Sequence, residues 1–458
     1  MEKMRKAHWI IIISLILFLP ASSVQAKFIK TFLYRIGGDR LSSGDEVTMA
    51  KYDIIMANKN HYDDISGDSW GKIKAINPNV KIYLYTSILY VYSTHDNYDA
   101  IALNDLGRYG VSRGHSMGQL DIINDNLFLL NSQGERVTWP STSYRYLLDF
   151  GSSDFRRYSI EATIKDHIGQ PWTADGVFSD NLWALKFGTN STPVLYDTDD
   201  KWTPAMNGLI NEMTFALHAK NQKFACNFGL SRSAAGFDAW ISLDNTKNPP
   251  DVVIEEAAFA VRYGDNNDVQ FYPPTEWKRQ VDILAAIRNS STCFLSHTDI
   301  AQGGSGTDNY SKSVTFWDVL WFALGSYKIG QNSTDDNSYF GFTVGSYSNI
   351  PWFDEYDSID LGNALGTYQV TNINGVNIYW RAFERGYVYV NPTTNNVSNI
   401  SLSESCKELN HTNFKNDITT IPDKNTISLN SHRAAFLYKS SGGADSVPPF
   451  PPKNLRIN

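Results

Sequence analysis

Two stretches of the 458-residue chain carry the same arrangement of acids: Asp175-Gly-Val-Phe-Ser-Asp180 and Asp251-Val-Val-Ile-Glu-Glu256 each place a carboxylate five positions after an aspartate, across small or apolar filler. Strand alternation gives Asp180 the facing of Phe178 and Glu256 the facing of Ile254, so each acid ends the same face of its strand. Two carboxylates that converge from strand ends can divide the roles of acid and nucleophile, or acid and base, in the cleavage of a glycosidic bond. Glu255 points to the opposite side and is the alternative second acid, because a kink or bulge after Ile254 would exchange the two. The structural reading of the same residues has Asp180 capping the next turn and Glu256 in an ion pair.

Such chemistry needs flat apolar faces for a sugar ring and polar groups for its hydroxyls. Tyr85, Trp139 and Trp183 are the candidate platforms, each set against an ordinary place in the core. His297 and Asp299 follow an apolar run and are candidates for hydroxyl contacts. Asn181, beside Asp180, and Asp149, ahead of a helical stretch over 152–168, are candidates to orient substrate; for Asp149 the competing role is a helix cap.

The elements that would position these residues are legible as alternating apolar runs and helical patterns from Phe28 to about Val344. Strand candidates start at Phe28, Tyr52, Lys81, Asp175, Lys223, Asp251, Ser291 and Ser338. Thr203 and Pro204 are read as opening a helix that carries Met206, Leu209, Ile210, Met213 and Leu217; further helices carry Trp277, Val281 and Leu284, and Trp317, Leu320, Trp321 and Leu324. The economical reading is a closed (β/α)8 barrel over residues 27–345, with an open doubly wound sheet as the other topology; no G-x-G-x-x-G follows the first strand to favour it. Asp180 and Glu256 then end the fourth and sixth strands, two steps of about 4.8 Å apart, which allows a carboxyl separation of roughly 5–9 Å and leaves the stereochemistry open.

Residues 90–150 are too long for a plain connection. They predict a hairpin, Leu127–Leu130 against Val137–Trp139 about Ser132-Gln133-Gly134, that roofs the strand ends. From about 346 to 441 alternation without long helices predicts a small antiparallel β-sandwich, with two strands about Glu384-Arg385-Gly386 and another over Ile427–Tyr438. Its patterning reads as a brace for the barrel. Residues 442–458 are a proline-rich tail that resembles the start of a fibronectin-type repeat.

Lys3, Arg5 and Lys6 precede the apolar run Trp9–Leu19, and Val24-Gln25-Ala26 resembles a cleavage site, so residues 1–26 read as a signal peptide and the mature protein as secreted or cell-surface. The run is shorter than the roughly 20 residues of a membrane span. With 40 basic against 48 acidic residues the chain has no excess positive charge for nucleic acid. Cys226, Cys293 and Cys406 are too few for a disulfide framework. No H-E-x-x-H, G-x-S-x-G or P-loop occurs, and Asp197-Thr198-Asp199-Asp200 lacks the spacing of a calcium loop, so neither metal nor cofactor is expected.

The motifs DGVFSDN at 175–181, IEE at 254–256, and DLGNALG from Asp360 followed by WRAFERGYVYVNP resemble the hypothetical glycosyl hydrolase barrels, which are grouped with alpha-galactosidase-like and polygalactosaminidase-like barrels. The resemblance implies a barrel followed by a β-sandwich and an exported enzyme acting on a polysaccharide, with Asp180 in the place of the catalytic aspartate. It leaves Glu255 and Glu256 ambiguous by one position. The resulting expectation is a secreted glycoside hydrolase cleaving a poly- or oligosaccharide through Asp180 and Glu256. The rivals are a non-catalytic carbohydrate-binding or adhesion protein and a metal-dependent deacetylase.

Overall fold

The computed structural model describes residues 27–440, apart from 38–40, 59–67, 93–126, 140–144, 168–173, 190, 230–231, 264–267, 287–291, 301–304 and 332–336. The expected signal peptide and the proline-rich tail lie outside the described residues. Eight parallel strands follow in chain order, each paired with the next: β1 (Phe32–Arg35), β2 (Ile54–Ala57), β3 (Lys81–Thr86), β4 (Gly176–Ser179), β5 (Lys223–Asn227), β6 (Val252–Glu255), β7 (Cys293–Ile300) and β8 (Ser338–Val344). A parallel bridge from Thr31 to Phe340, with the Phe340 amide donating to Lys30 O at 2.8 Å, joins the last strand to the first and closes the barrel. The helices between strands are α1 (Ser43–Met49), α2 (Ser69–Ile76), α3 (Ser153–His167), α4 (Asp199–His218), α5 (Ala234–Asp244), α6 (Pro274–Ala286) and α7 (Phe316–Gly330).

One aspartate recurs at the base of alternate strands. Asp53, Asp175 and Asp251 precede β2, β4 and β6, and each carboxylate accepts the backbone N–H of the preceding strand: Thr31 at 2.8 Å, Ile82 at 2.8 Å and Phe224 at 2.9 Å. Each of the three also donates its own amide to the carbonyl of that same residue, at 3.1, 2.8 and 2.9 Å, so the pair of bonds fixes the register of adjacent strands. The first acid of the repeated sequence pattern is therefore structural. Asp251 is buried and also holds Lys223 Nζ at 2.6 Å and His218 Nε2 at 2.8 Å. Asp251→Ala strands the buried Phe224 N–H and is expected to lower stability by about 1–3 kcal/mol; an unchanged urea midpoint would refute the register role.

Inside the barrel, inward residues such as Phe32, Tyr34, Met56, Tyr85, Phe178, Ala225, Ile254 and Leu295 form one cluster. Gly341 on β8 makes room for it, since a Cβ there would stand 2.6 Å from the Phe32 ring. Helix α4 starts at Asp199, earlier than expected, and Pro204 lies within it. The expected opening at Thr203-Pro204 is corrected because Thr198 already has extended N-cap geometry and Asp199 and Asp200 occupy the positive first turn. Within the excursion after β3, Tyr90–Tyr92 pairs with Arg145–Leu147; the bridge from Leu130 to Arg136 forms the expected hairpin about Gly134, whose φ is +79°, and a bridge from Thr138 to Tyr146 ties that hairpin to the pair.

Six antiparallel strands follow: β9 (Gln369–Ile373), β10 (Val376–Phe383), β11 (Gly386–Asn391), β12 (Val397–Leu409), β13 (Asp423–Leu429) and β14 (Arg433–Lys439), in the order β9-β10-β11-β14-β12-β13. Ile378, Ile400, Cys406, Ile427 and Leu437 are buried together, so the sheet curves over its own face. Its other face rests on α7, where a Cβ at Gly325 would meet Ala434 at 2.5 Å and Val390 at 3.3 Å. Every residue of α7 from Val319 to Gly330 is buried, as a helix between two layers requires.

Candidate active site

Asp180 and Glu256 stand one residue beyond β4 and β6 and meet at the mouth of the barrel. Asn227 ends β5 between them, and its Nδ2 donates to Asp180 Oδ1 at 3.0 Å and to Glu256 Oε2 at 2.7 Å. The two carboxylates therefore share one donor, which holds an oxygen of each close to the other. Asp180 also accepts from the Tyr85 hydroxyl at 2.8 Å and from the Asn181 amide at 2.8 Å. Asn181 reaches that position with φ +62°, the left-handed conformation asparagine tolerates. The alternation argument holds at both strands, and Glu256 is the acid that turns inward.

Glu255 is buried on the other side, where its charge is felt by Tyr272. Tyr85 takes part as a hydrogen-bond donor, with its ring packed on Phe178 at 5.7 Å. Trp139 and Trp183 lie half-buried with ring centroids 5.5 Å apart, and both pack on Phe187. His297 is fully buried: Nδ1 bonds the Glu256 carbonyl at 2.9 Å and Nε2 the Thr343 hydroxyl at 2.8 Å. Its Nδ1 therefore carries the proton and Nε2 accepts, and burial holds its pKa low, so a neutral histidine fixes the backbone of the acid instead of meeting substrate as expected. Asp149 is likewise spent in the structure, accepting from the Gly151 and Ser152 amides at 3.2 and 3.1 Å and from Tyr196 at 2.6 Å. It caps the turn into α3 and is not brought to the Asp180–Glu256 pair.

Three residues complete the site without having been singled out in the sequence. Asn227 continues the inward face of Ala225, so the alternation that located the acids would have located it too. Tyr34, on β1, is buried with no hydrogen-bond partner for its hydroxyl among the described residues, and Asp180 and Glu256 both raise its pKa after burial itself. Tyr347 lies in the loop after β8, hydrogen-bonds Glu256 and stands 3.4 Å from Asp299 Oδ2. A loop tyrosine carries no periodic signal.

A family model described as hypothetical glycosyl hydrolase family 15 matches residues 74–387. The chain belongs to this family. No curated protein matches the sequence. Among solved structures, the chain is similar to the glycoside hydrolase domain of PelA from Pseudomonas aeruginosa, at 12% identity and TM-score 0.39 over 71% of this chain and 97% of that one. It is also similar to the trehalulose synthase MutB from Pseudomonas mesoacidophila MX-45, at 12% identity and TM-score 0.46 over 90% and 98%. A further likeness is to Ega3 from Aspergillus fumigatus, solved in complex with galactosamine, at 12% identity and TM-score 0.31 over 60% and 94%.

In this glycosyl hydrolase family member burial raises both acids, and each is partly offset by hydrogen-bond donors, among them Tyr347 and Asn227 at Glu256. Burial raises Asp180, while Tyr85, Asn227 and the Asn181 amide stabilise its anion. Burial and then the Asp180 charge push Glu256 up to about 8 from an ordinary 4.5. A folded state that holds this proton more tightly than the unfolded chain is favoured in full below about pH 4.5 and loses that contribution as pH rises toward 8. Glu256→Gln is therefore expected to gain thermal stability over wild type, with the gain growing from pH 5 to pH 9. A pH-independent difference in melting temperature would contradict the raised pKa.

Proposed function

We propose that the chain is a secreted retaining glycoside hydrolase that cleaves a poly- or oligosaccharide, with Asp180 as nucleophile and Glu256 as general acid and then base. The observation that carries this reading is the Asn227 amide bonded to both carboxylates, a close pairing that supports a double displacement. The donors around Asp180 favour its anion, and burial with the Asp180 charge favours the protonated form of Glu256, which is the division the first step needs. Asp180 attacks the anomeric carbon while Glu256 gives its proton to the departing oxygen, leaving a glycosyl ester on Asp180. Esterification removes the charge that raises Glu256, so its pKa falls and its carboxylate can take a proton from the incoming water. Trp139 and Trp183 are the proposed sugar platforms, with Asn181 and Asp299 near the same mouth as hydroxyl contacts.

Export rests on the basic, apolar and small-residue order of residues 1–26, and among the described residues no helix is long and apolar enough to cross a membrane. The test is the release of reducing ends from a panel of polysaccharides by the wild type and by Asp180→Asn. Binding without cleavage by the wild type across the panel would favour the non-catalytic carbohydrate-binding reading.

A further inference from the structure

The two faces of β11 serve different ends. Val388 and Val390 pack toward α7, whereas Tyr387 and Tyr389 point away from the barrel. Trp380 on β10 lies directly across from Tyr389, with the rings 5.8 Å apart and only 17° from parallel. Its Nε1 donates to Thr371 Oγ1 at 3.0 Å, which fixes the half-buried indole. Because the sheet curves, residues 399–403 of β12 stand opposite this plate and leave a groove of about 470 Å³. That is within the roughly 300–1,000 Å³ of small-molecule sites. Tyr387 ties the walls together at one end, donating to Glu404 at 2.6 Å and accepting from Ser403 Oγ at 3.3 Å.

Among the described residues the lining contains no charged side chain. Ile373 and the indole offer an apolar surface, while exposed Asn399, Ser401 and Ser403 set amide and hydroxyl groups along the rim. A flat C–H face edged by hydroxyls is the ligand chemistry that matches both parts, and the absence of charge disfavours anionic or cationic chains. We propose that this groove is a second carbohydrate-binding site, for a neutral polysaccharide, separate from the barrel mouth and with Trp380 as its platform. It does not depend on the barrel being catalytic.

The test is affinity electrophoresis of the full chain carrying Asp180→Asn through gels containing amylose, xylan, galactan or mixed-linkage β-glucan. At least one polymer should retard the protein, and Trp380→Ala should weaken that retardation at least tenfold while Trp380→Phe keeps part of it. Ser401→Trp, at an exposed rim position, should plug the groove and have the same effect without disturbing the core, which keeps the test decisive if Trp380→Ala fails to fold. Retardation by none of the polymers, retardation unchanged by Ser401→Trp, or retardation lost instead with Trp183→Ala at the barrel mouth would overturn the proposal. A concentration-dependent dimer abolished by Trp380→Ala would assign the groove to a second copy and overturn it as well.

Discussion

Asp180→Asn is expected to lower the rate of glycan cleavage by roughly 10⁴-fold or more while the protein remains folded. The reason is local: asparagine keeps the volume at the end of β4 but cannot form the glycosyl ester, and with its amide oxygen on Asn227 and Asn181 its NH2 group stands where Asp180 Oδ2 accepts from the Tyr85 hydroxyl. Removing the anion also relieves Glu256, whose proton is held by burial and by the Asp180 charge. The variant should thus melt no lower than wild type at pH 7, and the pKa of Glu256, followed by infrared difference spectroscopy, should fall. Wild-type turnover in Asp180→Asn would remove the nucleophile assignment. Lost turnover with a lowered melting temperature and unchanged Glu256 would point to a structural role for Asp180.

Glu256→Gln should cost about 10²–10⁴-fold on substrates whose leaving oxygen needs a proton, and much less on aryl glycosides with acidic leaving groups. The wild-type pH profile should lose activity through a falling limb near pH 8, where Glu256 gives up its proton. That limb should disappear in the variant. Azide should restore turnover of the activated substrate in Glu256→Gln, because an anion needs no general base. If instead Glu255→Gln shows the leaving-group dependence and Glu256→Gln does not, the second acid is the neighbouring residue. The burial of Glu255 on the outer side of β6 argues against that outcome.

The barrel was legible because each strand is a short apolar run with a polar end, and the eight runs appear in the structure in the expected order. Period-two alternation sufficed to turn Asp180 and Glu256 inward. The same pattern was ambiguous at its first acid: Asp175 and Asp251 look like a catalytic repeat, yet they pin strand register, and Asp53 does so with Asn58 in the fifth position after it. For His297 and Asp149, sequence alone cannot distinguish a polar group that meets ligand from one that satisfies a carbonyl or a turn. In the C-terminal sheet the Asn374-Gly375 pair, at φ +53° and +85°, makes the tight primed turn between β9 and β10 that the sequence reading passed over. The single strand expected over Ile427–Tyr438 is two strands, β13 and β14. They are split at His432, whose φ is +50° and whose ring stacks on Phe271 at 4.4 Å, a tertiary contact with no local signal.

The most direct measurement is the anomeric configuration of the first sugar released, followed by proton NMR before mutarotation, on the polysaccharide the wild type degrades. Two carboxylates held by one Asn227 amide predict a product with the configuration of the bond that was cut. Inverted product would require a water between the acids, and the close pairing of Asp180 and Glu256 could not then be the catalytic arrangement.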